Sequence, residues 1–519
     1  MHTDARTLPN GATLTADVCI IGAGAAGISV ALEFIGAGKQ VLLLEGGGFD
    51  REDSLQARYG GRVSGLPYFP LEATRLHYFG GSTGHWGGFC SPLDPIDFAT
   101  RAWVPSSGWP FGVDTLAPYY ERAHPILDLG AWDYDASSWA KRDARNTMLP
   151  LDRTVLHEKM WQFSTPTRFG SKFRDTIVKA RDVHLYTHAV VTELQLRSDG
   201  AAVERVVVRQ SNGHTLHVMG STERPLVVVS ACSTLQNVRL LMSSNAVAAA
   251  GIGNAHDQLG RGFMEHLEMP VGTAVLLKPQ SMHLYAYDYG HTKARAELTT
   301  SAATQEQLGL LNASVAIEAA PSEGEARSTF EDFPPDELEQ YRHDTRGGVT
   351  ADMLDSARVH DEASVRRRPR FTLFTRQEQA PNMSSRITLT RDRDAYGVPR
   401  ADFHWALNTL DRHTIQQTVR VLARELGRLG IGRVQLRDWL RADNGPWPSV
   451  VSGGWHDMGG TRMHSNPHQG VVDADCRVHG VTNLYLAGGG VFPTAGAANP
   501  TLTIVALALR LADTIKRRA

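Results

Sequence analysis

The chain has 519 residues, a formal net charge of -2 at pH 7, and 42% hydrophobic and 21% charged residues. A chain of this length can bury two substantial cores or one interleaved pair of domains. The near-neutral charge gives no support for nucleic-acid binding, which normally requires a concentrated basic face. The composition therefore favours a soluble globular protein that acts on a small molecule.

The cysteines and the N-terminal residues exclude further classes. The chain has four cysteines: Cys19, Cys90, Cys232 and Cys476. They are widely separated and form no Cys-x-x-Cys pair, so we expect no disulfide framework and no metal site. The first sixteen residues lack the order of a secretory signal, and no apolar run is long enough to span a bilayer. We therefore expect a cytoplasmic protein without membrane association, in which residues 1–16 form a short tail.

The first predicted elements form a βαβ unit. Residues 17–21 (DVCII) predict a buried strand, the following GAGAAG a glycine turn that opens a helix, and residues 41–44 (VLLL) a second buried strand. A strand, a helix and a strand within about 30 residues form a right-handed crossover between parallel strands.

The glycine turn carries a dinucleotide-binding pattern. Gly22 permits the tight turn, Gly24 lets the backbone approach a pyrophosphate, and Gly27 allows close packing of the helix on the sheet. The helix N-terminus offers N–H groups to phosphate, and Glu45 after the second strand is placed to accept hydrogen bonds from ribose hydroxyls. This pattern predicts a dinucleotide site without distinguishing NAD from FAD.

The middle of the chain alternates between loop, strand and helix patterns. Residues 76–98 are rich in glycine and aromatic residues and predict an ordered loop, whereas 183–196 and 203–230 predict strands followed by a helix. Residues 320–370 are dense in charge, which is typical of a solvated insertion or of a cover over a substrate entrance. Strand patterns resume at 371–393, and 410–430 has helical spacing.

The chain closes with a strand (NLYLAGG), a turn (VFPTAGAANP) and an apolar helix. These elements predict a mixed α/β fold in which a Rossmann-like domain is built from both chain ends, with an inserted antiparallel-sheet substrate domain. We assign five segments: a dinucleotide-binding part at 17–98, an insertion at 99–182, a second dinucleotide-binding part at 183–265, a substrate-binding part at 266–450, and a catalytic C-terminal part at 451–519.

The C-terminal segment HDMGGTRMHSNPHQGVVDADCRVHGVTNLYLAGGGVFPTAGAANPTLT resembles the closing signature of the glucose-methanol-choline (GMC) flavoprotein oxidoreductases. Within that family it is most similar to the pyranose oxidase branch, including bacterial glycoside 3-oxidases, because Asn-Pro stands where many members carry a second histidine. The resemblance extends to GAGAAG, to GGSTGHW at 80–86, to LGRGFMEH at 259–266 and to APNMSSRITL at 380–389. It implies FAD as the cofactor.

The resemblance also implies which residues hold FAD. The ADP half would lie on the glycine turn and Glu45, with Val191 near the adenine. Gly488 and Gly489 would approach the ribityl–phosphate region, and Thr501 the pyrimidine edge of the flavin. The loop Gly80, Gly81, Ser82, His85 and Trp86 resembles a flavin loop in which some pyranose oxidases attach FAD through histidine. His85 matches that histidine, whereas Gly84 and Gly87 depart from the pattern of covalent members. The resemblance leaves open whether the FAD is covalently linked, and the departures favour a non-covalent cofactor.

His456 and Asn499 match the catalytic pair of the family. Oxidation of an alcohol requires a base for the hydroxyl proton and a polar group that fixes the oxygen, while a flavin accepts the hydride. A neutral imidazole suits the first task, and an amide can donate to the developing alkoxide without taking its proton. Arg376, Gln377 and Gln379 match the strand region that faces the sugar in the resembled branch.

The predicted function is FAD-dependent oxidation of a secondary ring hydroxyl of a sugar or glycoside, with C3 favoured over C2. Electrons would pass to oxygen or another acceptor, and relatives in the family imply a dimer or tetramer without revealing an interface here. One alternative is the flavin subunit of a sugar or sugar-acid dehydrogenase that uses a cytochrome or quinone. A flavin-binding protein without redox turnover is an alternative from another class.

Overall fold

The computed structural model describes residues 1–278, 280–286, 293–319, 370–442, 445–449 and 451–518. The charged segment predicted at about 320–370 falls almost entirely outside these residues. Four sheets organise the described part of the chain: one parallel, one large and antiparallel, and two small. The parallel sheet and the large antiparallel sheet together position the candidate site.

The parallel sheet contains the two strands of the predicted βαβ unit. Six strands lie in this order across the sheet: His2–Asp4, Val183–Thr187, Val41–Leu44, Val18–Ile21, Val227–Ser230 and Leu484–Leu486. All five pairings are parallel. The central strands are continuous apolar runs because a parallel sheet of this kind is covered on both faces. Helix Ala25–Glu33 packs against helices Phe169–Lys179 and Thr501–Arg518.

The N-terminal residues pair with two sheets, so the predicted tail was wrong. His2–Asp4 pairs with Leu185–Thr187 at the edge of the parallel sheet, and Thr13–Thr15 pairs with His217–Met219 in a small sheet. Ala5 and Ala16 are almost fully buried. Strands of three residues are too short to show a periodic pattern, and their place is decided by pairing with partners far along the chain.

The large antiparallel sheet forms the second layer. Seven strands follow one another across it in this order: Gly432–Leu436, His266–Leu276, Arg370–Glu378, Ala313–Ala319, Ala294–Thr300, Leu156–Phe163 and Phe89–Cys90. An eighth strand, Ser452–Gly453, pairs with His266–Leu276. Helix Thr409–Arg428 packs against this sheet. Its N-terminus is closed by a capping box between Asn408 and Asp411, which satisfies backbone N–H groups at the first turn.

The other strands of the described residues form two smaller sheets. One orders Thr13–Thr15, Thr215–Met219, Val203–Arg209 and Val190–Leu196, and the other orders Arg386–Arg393, Pro399–Trp405 and Arg62–Gly65. The remaining α-helices among the described residues are Asp53–Gln56, Pro95–Phe98, Ala117–Ile126, Ala136–Ala140, Thr234–Ser243 and Ala302–Leu308. The mixed α/β class with a Rossmann-like sheet is confirmed, whereas the five segment boundaries remain a prediction.

Among the helices of the described ranges, none combines the length and the apolar character that crossing a bilayer requires. The longest, Thr409–Arg428, carries Arg420, Arg424 and Arg428 on its less buried side. Helix Thr501–Arg518 buries its apolar residues in the protein core and ends in Lys516, Arg517 and Arg518.

A buried ion pair ties the end of a central strand to the segment before helix Ala117–Ile126. Arg101 donates to both carboxylate oxygens of Glu378 at 2.7 and 2.8 Å, and both side chains are at most 1% exposed. Replacing Arg101 by Met would leave a buried carboxylate without its cation. We expect Arg101→Met to lower the free energy of unfolding by about 3–5 kcal/mol, as measured by urea denaturation.

Arg197→Met provides the control, because Arg197 pairs with Asp199 at the surface with 61% and 51% of the side chains exposed. That variant should change the free energy of unfolding by less than about 1 kcal/mol. Equal effects of the two substitutions would contradict a stabilising role for the buried pair.

Candidate active site

The glycine turn after strand Val18–Ile21 accepts little besides glycine at two positions. Gly22 has a φ of +98°, and a Cβ there would lie 2.8 Å from the Ala231 carbonyl oxygen. A Cβ on Gly27 would lie 1.9 Å from the Gly22 carbonyl oxygen, so the helix could not approach the turn this closely. These contacts explain physically why the first and third glycines of the motif are glycine.

Gly24 differs from its two neighbours in the motif. A Cβ at Gly24 would meet no atom of the described residues within 4 Å, and φ is -87°. Gly24 is the N-cap of helix Ala25–Glu33, and no side chain of the described residues caps this helix. The uncapped helix N-terminus and the open space beside it form a cradle suited to a phosphate group.

Glu45 borders this cradle. Its carboxylate accepts hydrogen bonds from the backbone N–H groups of Ala23 at 2.9 Å and Gly47 at 2.8 Å. Burial raises the pKa of Glu45, while the backbone donors oppose that shift. The Glu45 carbonyl accepts from Ala189 N–H at 2.8 Å, which brings Val191 close to the same edge of the sheet. The structure thus brings both predicted nucleotide residues to the carboxyl end of the parallel strands.

The predicted flavin loop lies directly against the glycine turn. Gly80 N–H donates to the Ala23 carbonyl at 2.8 Å, and a Cβ on Gly81 would lie 3.0 Å from the Gly24 Cα. Gly81–Gly84 forms a short 3-10 turn that includes the exposed Ser82. The Trp86 indole N–H donates to the Thr167 carbonyl at 2.9 Å, which anchors the end of the loop.

His85, near the end of this loop, contacts the turn that carries His456. Its ring centroid is 5.2 Å from that of Trp455, and burial lowers the pKa of His85 to about 4. A Cβ on Gly84 would lie 1.8 Å from the Tyr78 hydroxyl oxygen, so a larger residue at this position would require the Tyr78 side chain to move. A link between His85 and a flavin remains a prediction.

The turn that carries His456 is fixed by a buried carboxylate. The Oε1 atom of Glu265 accepts from the backbone N–H of His456 at 2.7 Å and of Gly454 at 3.2 Å. Met264 and Met458 exchange two backbone hydrogen bonds beside it. Gly459 N–H donates to the Gly489 carbonyl at 3.1 Å, so the turn also contacts the predicted ribityl region at Gly488 and Gly489.

Asn499 reaches His456 from the last turn before helix Thr501–Arg518, which begins at the predicted flavin residue Thr501. Its Nδ2 atom lies 3.2 Å from His456 Nε2, and its Oδ1 atom accepts from the Trp161 indole N–H at 3.0 Å. An indole N–H only donates, so the amide oxygen must face Trp161 and the NH₂ group must face His456. The structure therefore brings the two predicted catalytic side chains into contact, with Asn499 as the donor.

Burial keeps His456 neutral. The pKa of His456 is lowered to about 3, mainly by burial and further by the positive charge of Arg376. An imidazole with this pKa is uncharged at neutral pH and has one unprotonated nitrogen. Since Asn499 donates to Nε2, Nε2 is that nitrogen.

Three residues around His456 were missed by the reasoning from sequence. His266 Nδ1 lies 3.0 Å from His456 Nδ1, and Glu268 Oε1 lies 3.8 Å from the same atom. Trp161, on a distant strand, orients Asn499. The segment LGRGFMEH was part of the resemblance, but nothing in its local pattern shows that His266 faces His456. These three contacts join residues far apart in the chain, so no spacing rule detects them.

His266, Glu268 and His456 form the one group in the described part of the chain with ligand-type atoms close enough to hold a metal ion. However, Glu268 Oε1 already accepts from Arg376 Nε at 2.7 Å, and the two imidazoles contact each other directly. A guanidinium cation at this distance opposes a metal cation, because like charges repel strongly in a buried site. A hydrogen bond between the two imidazoles accounts for their contact.

The three predicted substrate residues are buried and occupied by protein partners. Arg376 pairs with Glu268 and, at 3.3 Å, with Glu297. The Gln377 amide donates to the Asp411 carbonyl at 2.9 Å, and the Gln379 amide oxygen accepts from Glu265 N–H at 3.0 Å. Arg376 lies next to the catalytic pair through Glu268, whereas Gln377 and Gln379 support the surrounding backbone. Contact of any of the three with a substrate remains a prediction.

Comparison with known families agrees with this geometry. A model described as FAD dependent oxidoreductase matches residues 17–291, more than half of the chain, and a model described as GMC oxidoreductase matches residues 381–508. The chain belongs to the GMC oxidoreductase family. The first matched range contains the glycine turn, and the second contains both predicted catalytic residues of this GMC oxidoreductase, His456 and Asn499.

Similar proteins act on alcohol groups. The chain is 24% identical to 2-methyl-1,2-propanediol dehydrogenase of Mycolicibacterium austroafricanum, with 97% of this chain and 95% of that protein covered. It is 38% identical to C-glycoside 3-oxidase of Microbacterium trichothecenolyticum over 120 residues, which are 23% of this chain and 22% of that protein. The crystal structure of pyridoxine 4-oxidase from Mesorbium loti has the same fold, with a TM-score of 0.57, 18% identity and coverage of 96% and 99%.

FAD is the cofactor of this GMC oxidoreductase, and the residues fit it. The cradle at Gly24 suits the pyrophosphate, because backbone N–H groups and open space coincide there. Glu45 lies beside the cradle, and the flavin loop and the turn of His456 meet at His85 and Trp455. When bound, FAD supplies a hydride acceptor.

The open space at Gly24 allows a test of FAD binding. In Gly24→Ala the added methyl group should leave the protein backbone undisturbed and exclude the close approach of the pyrophosphate. We expect purified Gly24→Ala to lose most of its flavin absorbance at about 450 nm, with an unchanged far-ultraviolet circular dichroism spectrum.

Gly112→Ala is the matched control, since Gly112 also has an ordinary φ, of -88°, and a Cβ there also meets no described atom within 4 Å. Full flavin content in both variants would show that Gly24 does not contact the cofactor.

Proposed function

We propose that this protein oxidises a secondary ring hydroxyl of a sugar or glycoside to a ketone, at C3 in preference to C2. Its family acts on alcohol groups, and the similarity to a C-glycoside 3-oxidase supports a glycoside as substrate. The matched region of that relative covers about a fifth of the chain. The substrate class therefore needs a direct test.

The observation that carries the proposal is the hydrogen bond between Asn499 and His456. The Nδ2 donor and the unprotonated Nε2 atom are 3.2 Å apart. A substrate hydroxyl placed between them would donate its proton to Nε2 and accept a hydrogen bond from Nδ2. The pair thus offers the two interactions that an alcohol needs when its proton leaves, because Asn499 would stabilise the negative charge that develops on oxygen.

The protein groups then have separate tasks. His456 would take the hydroxyl proton at Nε2, and Asn499 would hold the oxygen in place. Glu268, 3.8 Å from His456 Nδ1, would stabilise the imidazolium that forms, since opposite charges attract strongly in a buried site. FAD supplies the acceptor for the hydride from carbon.

The ion pair of Arg376 and Glu268 would place charged groups beside a bound polyol. Glu268 is 18% exposed, and Arg376 is almost fully buried behind it. Glu268 would offer its partly exposed carboxylate to a hydroxyl next to the reacting one, which a sugar ring has and a simple aliphatic alcohol lacks. This feature supports a sugar over a simple aliphatic alcohol.

The electron acceptor separates the proposal from a second candidate. The full-length relative described above is a dehydrogenase, whereas the glycoside relative is an oxidase. We propose oxygen as the acceptor, with hydrogen peroxide as the product. A dehydrogenase would reduce a quinone or an artificial dye and leave oxygen untouched, and a redox-silent protein would do neither.

The decisive experiment is anaerobic mixing of the purified holoenzyme with D-glucose and, separately, with a flavonoid C-glucoside. We expect loss of the absorbance at about 450 nm, faster with the glycoside, and a 3-keto product identified by NMR. His456→Ala should abolish the bleaching, because the substitution removes the proposed base. Readmission of oxygen should restore the absorbance and form peroxide.

His468→Ala serves as the control, since His468 is exposed and its ring stacks on His256. It should bleach at the rate of the unsubstituted protein. A flavoprotein that no sugar bleaches would refute the sugar substrate while leaving the family assignment intact.

The pH dependence of bleaching should reflect the low pKa of His456. Because burial lowers that pKa to about 3, His456 stays unprotonated as the pH falls, and the base remains available. We expect the rate constant for bleaching to show no loss from His456 protonation between about pH 5 and pH 8. Stopped-flow measurements across this range would test the point, and a tenfold fall below an inflection at about pH 6.5 would contradict it.

A further inference from the structure

His266 is buried beside the proposed base and contacts it through one specific atom. The side chain is fully buried, and its Nδ1 atom lies 3.0 Å from His456 Nδ1. Its other nitrogen, Nε2, lies 2.9 Å from the Gly496 carbonyl oxygen. Both ring nitrogens of His266 therefore have a partner within the protein.

The Gly496 carbonyl decides which nitrogen of His266 carries the proton. A carbonyl oxygen only accepts, so His266 must donate from Nε2. Burial lowers the pKa of His266 well below its ordinary value, with the neighbouring His456 adding to the effect, so the ring is neutral. A neutral imidazole with its proton on Nε2 has a lone pair on Nδ1.

The proton between the two rings must then belong to His456. Two lone pairs at 3.0 Å would repel, whereas a proton on His456 Nδ1 makes this contact a hydrogen bond donated to His266. His456 consequently exposes an unprotonated Nε2 atom toward Asn499. Asn499 independently requires the same state, because its Nδ2 group donates to Nε2.

We propose that His266 is a positioning residue that holds His456 in the Nδ1–H tautomer, with Nε2 free to accept the substrate proton. This role rests on the proposed function, in which His456 is the base. Asn499 cannot keep the tautomer alone during the reaction, because a hydroxyl between the two side chains replaces their hydrogen bond. The chain from Gly496 through His266 to His456 remains intact when substrate binds.

The surrounding groups are consistent with this assignment. Glu268 and Arg376 lie beside both rings, and their opposite charges neutralise each other across a 2.7 Å ion pair. After His456 takes a proton at Nε2, its Nδ1–H still donates to His266, so proton uptake requires no reorientation of either ring. An oriented partner of a functional imidazole commonly fixes the tautomer in this way.

The direct test measures the tautomer without turnover. In the oxidised holoenzyme labelled with ¹⁵N-histidine, the His456 ring should show a protonated Nδ1 and an unprotonated Nε2. The His456 signals are assigned by their absence in His456→Gln. A proton on His456 Nε2 in the unsubstituted protein would overturn the proposal, even if His456→Ala loses all activity.

Two substitutions separate positioning from packing. His266→Phe keeps a ring but removes the acceptor, and it should mix the His456 tautomers and slow bleaching by about 10- to 100-fold. His266→Asn places an acceptor oxygen near the former Nδ1 position and should restore the Nδ1–H tautomer and most of the rate. Equal losses in both variants with an unchanged His456 tautomer would assign His266 a packing role only.

His413→Phe is the control, because His413 bonds the Leu308 carbonyl at 2.9 Å away from the site. It should leave the tautomer and the rate unchanged. Removal of metal provides a second check, since a metal ion between the two Nδ1 atoms would require both to be unprotonated. Loss of activity after dialysis against EDTA, recovered by added Zn²⁺, would overturn the shared-proton arrangement.

Discussion

The carboxyl group of Glu265 holds the turn that carries His456 against the long strand of the antiparallel sheet. Glu265 is fully buried at the start of the long strand of the antiparallel sheet, and its Oε1 atom accepts three backbone N–H groups, including that of His456. Its Oε2 atom accepts from the Tyr68 hydroxyl at 2.8 Å. Burial raises the pKa of Glu265 to about 8, with the charge of Asp457 adding to the shift. Four donors on one carboxyl group compensate for its burial, because a buried polar group without partners is costly.

This anchor keeps the turn of His456 in an unusual backbone conformation. Trp455 has a φ of +61°, which side chains other than glycine rarely adopt, and bonds to Glu265 flank it on both sides. The same turn contacts strand His266–Leu276 through Met264 and Met458. The position of the imidazole therefore depends on backbone contacts as much as on its own side chain, which is how rigid sites are usually held.

The candidate site combines two neutral side chains with charged neighbours. His456 and Asn499 are uncharged, whereas Arg376, Glu268 and Glu297 form a buried ion network behind them. Arg295 also pairs with Glu297, so the network holds two cations and two carboxylates and can remain buried without displacing the protons of the neighbouring side chains. In the proposed arrangement, FAD lies at the carboxyl end of the parallel strands, and the antiparallel sheet contributes His266, Glu268 and Arg376 around the proposed base.

The sequence by itself determined the elements whose signals are local. The continuous apolar strands and the glycine turn predicted the parallel sheet and a dinucleotide site, and the family signature predicted FAD, His456 and Asn499, because these patterns lie within short stretches of chain. Only the tertiary structure placed His2–Asp4 in the sheet and brought His266, Glu268 and Trp161 to the catalytic pair. It also showed that Gln377 and Gln379 bond to the protein interior. Residues 161 and 499 meet through the packing of whole sheets, and no pattern of local spacing encodes such a contact.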